Sequence, residues 1–320
     1  MKTKTLIGNT KLKTDNLMRW TARSFLTGLV AFTCLPGSAA LITGTPAGKI
    51  LAAGSNKIMI LSPSGEMEWQ YPTKLTHDVW MLANGNILFA DGASVTEVTL
   101  AKKVVFEYKA AEQKGGGTFA CQRLANGNTL IGENSTGRVL EVDPSGKAVF
   151  TLQTSPTQIG NHHNLRMVRK LDNGNYLVCH SGARIVKEYT PKGDVVQEIK
   201  APGKLAFSAI RTPKGTTLVA SLEQIIEWDA KGNKVWECTN KELEGALVSN
   251  MTGMHLLPNG NIVTGCYQAY NKSGEGCGLL ELSREKKIIW RYTNPKGDGT
   301  MMAVELLTPD GKALPGAILR

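Results

Sequence analysis

Several of the signatures that most often reveal an activity are missing from this 320-residue chain. It holds six cysteines and five histidines, with no Cys-x-x-Cys pair and no His-x-His or His-x-x-x-His spacing. Neither a metal-ligand motif nor a regular disulfide framework is therefore indicated. No apolar run is long enough to span a bilayer, which takes about 20 residues. No helix of useful length is visible after residue 40. No basic run with interleaved aromatics follows that point either, which argues against a nucleic-acid partner. What is present is a 42% hydrophobic, 20% charged composition, enough apolar matter for a large core and too much for a disordered chain. Thirty-four glycines and 13 prolines, with no collagen period or low-complexity tract, act as turn punctuation.

The first forty residues have the order of a secretory signal. Lys2, Lys4, Lys11, Lys13, Arg19 and Arg23 are offset by Asp15 alone, and an apolar run from Phe25 to Leu35 follows. Pro36, Gly37, Ser38, Ala39 and Ala40 then supply small residues for cleavage before Leu41. A lipid-modified Cys34 is the less suitable alternative, because Thr33 fits a lipobox poorly. Residues 1–40 are expected to be a signal peptide and residues 41–320 one exported domain, periplasmic or extracellular. Without the signal the net charge falls from +10 to +5, a mild excess. Five cysteines remain, an odd number; Cys266 and Cys277 flank one loop and are the best pair to bridge, with buried free thiols the other reading.

Beyond residue 40 the chain repeats. Leu82-Ala83-Asn84-Gly85-Asn86 returns as Leu124–Asn128, Leu171–Asn175 and Leu257–Asn261, with weaker copies at Thr212–Gly215, Thr308–Gly311 and Pro46–Gly48. The steps between the turn glycines are 37, 42, 47, 41, 45 and 51 residues, the period of a four-stranded propeller blade. Each turn lies between apolar runs, the strongest short hairpin signal. An alternating strand ending in Glu plus an apolar residue comes next, as in Leu140-Glu141-Val142 or Ile226-Glu227-Trp228. A fourth strand carries a large aromatic, as in Val235-Trp236-Glu237, except in the fourth repeat, where Gln197 stands. Repeats two to six supply four strands each. The N-terminal region supplies three, and Met301–Leu307 supplies one that would complete the first blade and close the ring. The expectation is all-β, a six-bladed propeller closed by the C-terminal strand, with seven blades the alternative and Leu41–Thr45 a spare strand.

The repeated pattern of Asn-Gly-Asn turn, Glu-x-Asp strand and aromatic fourth strand resembles bacterial secreted propellers with pyrroloquinoline-quinone-like and arylsulfotransferase-like repeats, over residues 47 to about 311. The resemblance implies the blade. Quinone enzymes of that kind carry a tighter tryptophan-docking motif, of which only fragments such as Asp229-Ala230-Lys231-Gly232-Asn233-Lys234-Val235-Trp236 occur, so a quinone cofactor is not expected. Arylsulfotransferases carry an axial histidine as covalent acceptor, and no histidine here matches their motif residue by residue.

Propeller geometry nominates the site. Loops entering the innermost strands converge on one mouth of the channel. Those positions hold His77 and Asp78, Cys121, His162, His163 and Asn164, then Ser208 and Asn250, with Arg166 and Arg211 further along their strands. Strand alternation predicts that only one of His162 and His163 faces the channel. His77 or His163 could act as nucleophile or general base, titrating near neutrality. Arg166 and Arg211 could hold an anion, and Cys121 is a candidate nucleophile without an evident basic partner. His77, Asp78 and one of the paired histidines are suitable ligand types for a divalent metal, although no spacing supports one. Phe119, Phe207, Met251 and Met301 would plug the same ring in a plain scaffold. These residues predict an exported module binding a small molecule, carbohydrate or protein at the channel mouth. The alternative is an enzyme of sulfotransferase or lyase type using axial histidines.

Overall fold

The computed structural model describes residues 41–268, 276–294, 300–316 and 319–320. The element β1 is Ile42–Gly44; β2, β3 and β4 are Ile50–Gly54, Lys57–Leu61 and Met67–Pro72. The next four are β5 (Asp78–Met81), β6 (Ile87–Ala90), β7 (Ser94–Val98) and β8 (Val104–Lys109). They are followed by β9 (Thr118–Arg123), β10 (Thr129–Glu133), β11 (Arg138–Val142) and β12 (Ala148–Gln153). Then come β13 (Leu165–Lys170), β14 (Tyr176–His180), β15 (Ile185–Tyr189) and β16 (Val195–Lys200). A fifth set is β17 (Ser208–Arg211), β18 (Thr217–Ala220), β19 (Gln224–Trp228) and β20 (Lys234–Thr239). The last are β21 (Asn250–Leu256), β22 (Ile262–Tyr267), β23 (Gly276–Leu282), β24 (Ile288–Asn294) and β25 (Met301–Leu306).

They form six antiparallel sheets, the blades of a six-bladed β-propeller. The ring closes twice. Strand β25 pairs with β2, Ile50 opposite Leu306 and Ala53 opposite Ala303, and becomes the innermost strand of blade 1. Strand β1 pairs with β24, Ile42 opposite Tyr292, and becomes a fifth, outermost strand of blade 6. Six apolar clusters fill the six interfaces between blades; Ile50, Met59, Trp290 and Val304, for instance, meet where blade 6 touches blade 1.

The repeated motif has a mechanical explanation. In the turn, the first Asn side chain accepts the N–H of the second Asn at 3.0 Å, as between Asn84 and Asn86, while Gly85 takes φ 81°, open to glycine without a Cβ penalty. Asn84 and Asn86 then donate to Glu97 of β7, and Asn173 and Asn175 to Glu188 of β15. A basic side chain of the next blade reaches four of the glutamates: Arg123 at 2.5 Å from Glu97, Lys170 at 2.5 Å from Glu141, Arg211 at 2.8 Å from Glu188, and Arg284 on Glu227. Glu97, Glu188 and Glu227 thus fasten a turn to their own blade and that blade to its neighbour, Thr216 taking the place of the asparagines at Glu227. Glu141 binds Lys170 and Tyr176 of the next blade, and Glu281 binds Asn261 and Trp290 of its own. In the fourth repeat Gln197 replaces the aromatic and accepts from Arg211 at 2.6 Å, so a hydrogen bond stands in for ring packing.

Candidate functional site

The channel is packed, and β-bulges decide what packs it. In β9 the register jumps between Thr118 and Ala120, in β13 between Leu165 and Met167, and in β25 between Met301 and Ala303. Phe119, Arg166 and Met302 are the residues left without a partner. A bulge re-aims its side chain, and here Phe119 and Arg166 are turned onto the axis. Strand β21 carries a further irregularity between Met251 and Met254. A Cβ on Gly253 would sit 2.6 Å from the Met302 carbonyl oxygen, so glycine is the residue that lets these inner strands approach. Met251 and Met301 go instead into the cores between blades 5 and 6 and between blades 6 and 1. The free space on the axis is about 10 Å³, roughly room for one water.

Two charged layers lie along that axis. At the mouth, the Arg166 guanidinium donates to His77 Nδ1 at 2.9 Å and to His163 Nδ1 at 3.2 Å. It stacks over Phe119 at 4.7 Å and Phe207 at 5.1 Å. Arg166 is only 3% exposed, its Nε has no hydrogen-bond partner, and no carboxylate among the described residues pairs with it. Burial pulls the guanidinium down to about 10. His77 lies 4.0 Å from the Phe119 ring and 6.0 Å from His162, centroid to centroid. Burial, then Arg166, hold its pKa well below the usual imidazole range. The same two causes, in the same order, lower those of His162 and His163.

His162 and His163 stand in the loop before β13, outside any strand, so the alternation rule does not apply to them. Both rings reach the mouth and touch edge to face at 5.1 Å. The hydrogen-bond network assigns different tautomers. Arginine can only donate, so His163 Nδ1 accepts and its Nε2 carries the proton. At His77 the shorter of two contacts to Arg166, 2.9 Å at Nδ1 against 3.4 Å at Nε2, makes Nδ1 the acceptor. His162 Nδ1 faces the Gly115 carbonyl at 3.1 Å, so it donates and leaves Nε2 with a lone pair.

Deeper in the channel, charges are matched. Arg169 grips Asp78 bidentately at 2.7 and 3.0 Å, and its Nε donates to the Arg320 carbonyl at 2.9 Å. Arg320 lies 3.2 Å from Glu305 and 3.7 Å from Asp78, and donates to the Val79 carbonyl. Trp80 receives both guanidinium groups on its ring, at 4.9 and 4.6 Å. Burial pushes Glu305 up to about 7 against the pull of Arg320.

Of the residues nominated from sequence, the structure brings His77, His162, His163 and Arg166 together at the mouth, with Asp78 beneath them. Four others lie elsewhere. Arg211 is the latch to Glu188 and Gln197 between blades 4 and 5. Cys121 is buried with Trp80, Ile131 and Leu140 between blades 2 and 3, its thiol pushed up by that burial. Asn164 ties the Asn134 carbonyl to the Gln158 amide, and Asn250 caps the Tyr267 carbonyl. His180 bonds the Tyr189 hydroxyl and His255 accepts from the Leu306 amide, as strand residues. Among the described residues no three His, Cys, Asp or Glu side chains converge as metal ligands. Arg169, Glu305 and Arg320 escaped the sequence reading. Arg169 had one signal, its place three residues from Arg166 on one inner strand; Arg320 had none.

No protein-family model matches the chain, and no curated protein does. Solved structures do. A protein of unknown function from Bacteroides caccae is 22% identical with a TM-score of 0.71, over 82% of this chain and 98% of that one. A streptogramin B lyase is 13% identical with a TM-score of 0.56, over 88% and 100%. The extracellular domain of a hybrid two-component system from B. thetaiotaomicron is 16% identical with a TM-score of 0.52, over 82% of this chain and 36% of that one. At these identities the likeness is one of fold.

Proposed function

We propose that this is an exported propeller that binds a small anionic ligand at the histidine-lined mouth of its channel. Arg166 carries the reading. A buried cation without a counter-charge is costly, and a fold keeps one where something else supplies the charge. A carboxylate, phosphate or sulfate group would do so. The exposed His163 ring offers its Nε2–H as a donor, polarised by the arginine behind it, and an anion there would offset the repulsion from Arg166 that adds to burial in lowering these imidazoles. Export rests on the order of residues 1–40, and the likeness to an extracellular domain is in keeping with it. No helix among the described residues is long and apolar enough to cross a membrane. The finer resemblance of the blades to quinone-like and arylsulfotransferase-like repeats belongs with this reading and adds no site residue to it.

A second reading, a lyase or transferase, has one observation in its favour. The Nε2 lone pair of His162 is fixed in place by the bond to Gly115 and lies beside the anion position, where a general base is useful. His77 and His163, their Nδ1 atoms occupied by Arg166, are donors in this arrangement. Lyases also occur among the neighbours in fold.

The test is thermal unfolding and calorimetry of the purified protein with inorganic phosphate, sulfate and citrate. A ligand at about 100 times its Kd stabilises by about 2.7 kcal/mol, a readily measured rise in Tm. The rise is expected in the native protein and absent in Arg166→Met. If none of the three anions shifts Tm or gives binding heat, the anion reading is wrong. Persistence of the shift in Arg166→Met would place the anion elsewhere.

A further inference from the structure

We propose that Cys266 and Cys277 become a disulfide bond when the chain folds in an oxidising compartment. All five cysteines of the described residues are buried thiols in this structure. Only these two sulfurs meet among them: Cys266 Sγ lies 3.8 Å from Cys277 Sγ. Cys121 and Cys179 lie in the clusters between blades 2 and 3 and between blades 4 and 5. Cys238 shares the cluster of the pair, but its sulfur is directed to the Thr239 carbonyl of its own strand.

Position and local geometry both suit a bond. Cys266 is the penultimate residue of β22 and Cys277 the second of β23, adjacent strands of one sheet. From van der Waals contact the sulfurs need to close by a little under 2 Å to reach the bond length of about 2.05 Å. The register of β23 is irregular between Cys277 and Leu279, which gives the backbone there latitude that a strict ladder lacks. Ten residues separate the two cysteines in sequence, so closure costs the unfolded chain little and is local enough to form early in folding.

The chemistry needs an oxidant with a disulfide of its own, such as oxidised glutathione. One cysteine thiolate attacks it, forming a mixed disulfide and releasing one glutathione thiol. The second thiolate attacks the mixed disulfide, forming the Cys266–Cys277 bond and releasing the other. Two protons and two electrons leave the protein, and the oxidant becomes two thiols. Burial keeps both sulfurs from such an oxidant once the propeller is complete, so the exchange belongs to the folding chain. The bond would clamp the end of β22 at which Tyr267 packs with Phe207, Leu222 and Met302 beside Arg166.

The experiment refolds the protein from denaturant with a mixture of oxidised and reduced glutathione, blocks free thiols with iodoacetamide under denaturing conditions, and maps peptides without reduction. The expected result is one linked pair, Cys266 with Cys277, lighter by two hydrogens than the separate peptides, with Cys121, Cys179 and Cys238 alkylated. Reductant should lower Tm by about 5 °C or more, from a loop-closure contribution typical of a short disulfide. Cys266→Ser and Cys277→Ser should each melt near the reduced protein and ignore reductant. The map on the native sequence stands even if a serine variant fails to fold. Alkylation of both Cys266 and Cys277 after oxidative refolding, or linkage of either to another cysteine, overturns the proposal.

Discussion

Two arginines three residues apart in one strand do opposite work. Arg166 has histidines and aromatic faces around it and no counter-ion among the described residues, whereas Arg169 is locked to Asp78. Replacing Arg166 by Met removes an unpaired buried charge and leaves an apolar side chain between Phe119 and Phe207. Its stability should equal or exceed that of the native protein, by up to about 4 kcal/mol, while the anion-induced rise in Tm disappears. Replacing Arg169 by Met removes the bidentate partner of Asp78, leaving Arg320 at 3.7 Å and the Cys121 amide, and should cost about 3–5 kcal/mol, with part of that recovered in the double variant with Asp78→Asn. Chemical denaturation of the four proteins checks both statements. Equal losses from Arg166→Met and Arg169→Met would mean that the mouth arginine is a structural ion like the other.

At the scale of elements, the two closing strands differ in what they bury. Strand β25 is buried along its whole length and supplies the inner edge of blade 1, with Met301, Val304 and Leu306 in the core against blade 6. Its loss would leave β2 unpaired at the axis, and each buried unpaired backbone group costs about 1–3 kcal/mol against a total stability of about 5–15. A chain ending before residue 300 should therefore aggregate or lack cooperative unfolding. Strand β1 has three residues, of which only Ile42 is buried. Removing residues 41–44 should cost about 1–3 kcal/mol, the burial of one isoleucine, and leave a folded ring. Circular dichroism and melting of both truncations decide between this order and its reverse. The bulges belong to this scale too. A strict alternation along Leu165–Lys170 gives no sign that Arg166 is the extra residue, and the exchange of Met301 for Met302 is equally invisible, because register is set by pairing with a partner strand.

For the whole molecule, the buried imidazoles set the acid response. Burial, the largest cause in each case, lowers His180 to about 4 and His255 to about 3, and His77 lies well below its usual value. Between those values and about 6.5 the unfolded chain binds protons that the folded chain refuses. Stability from these groups is therefore full above pH 6.5 and is lost as pH falls below it. Glu305, raised to about 7, acts the other way: between about 4.5 and 7 the folded chain keeps a proton that the unfolded chain has released. Three imidazoles against one carboxyl leave a net uptake of about two protons on unfolding near pH 5.5, a slope of up to about 2.7 kcal/mol per pH unit. The denaturation midpoint should fall between pH 6.5 and 4.5, and less so in His255→Gln. A flat profile would mean that the buried histidines are charged in the folded state. Anion affinity should move oppositely at the mouth, strengthening as pH falls below about 6.5, since His162 and His163, held below their usual value by burial and then by Arg166, take up protons more readily beside a bound anion.

The blade, its repetition and the closing strand, read as Met301–Leu307, were written locally in the sequence, because Asn-Gly turns and alternating strands obey constraints that span only a few residues. The repeated glutamates were legible for the same reason, and so was the approach of His77 to one of His162 and His163, which follows from strand order; that both rings reach the mouth was not, because they stand in a loop outside any strand. Other features depended on contacts between segments far apart in the chain. The pairing of Arg166 with two histidines, the opposite tautomers of His162 and His163, the diversion of Arg211 to a latch and the burial of Arg320 beside Trp80 all arise where six inner strands meet on one narrow axis. There, which residue bulges and which carboxylate is already taken are settled by the neighbours across the channel, and those neighbours are fixed only once the ring is closed.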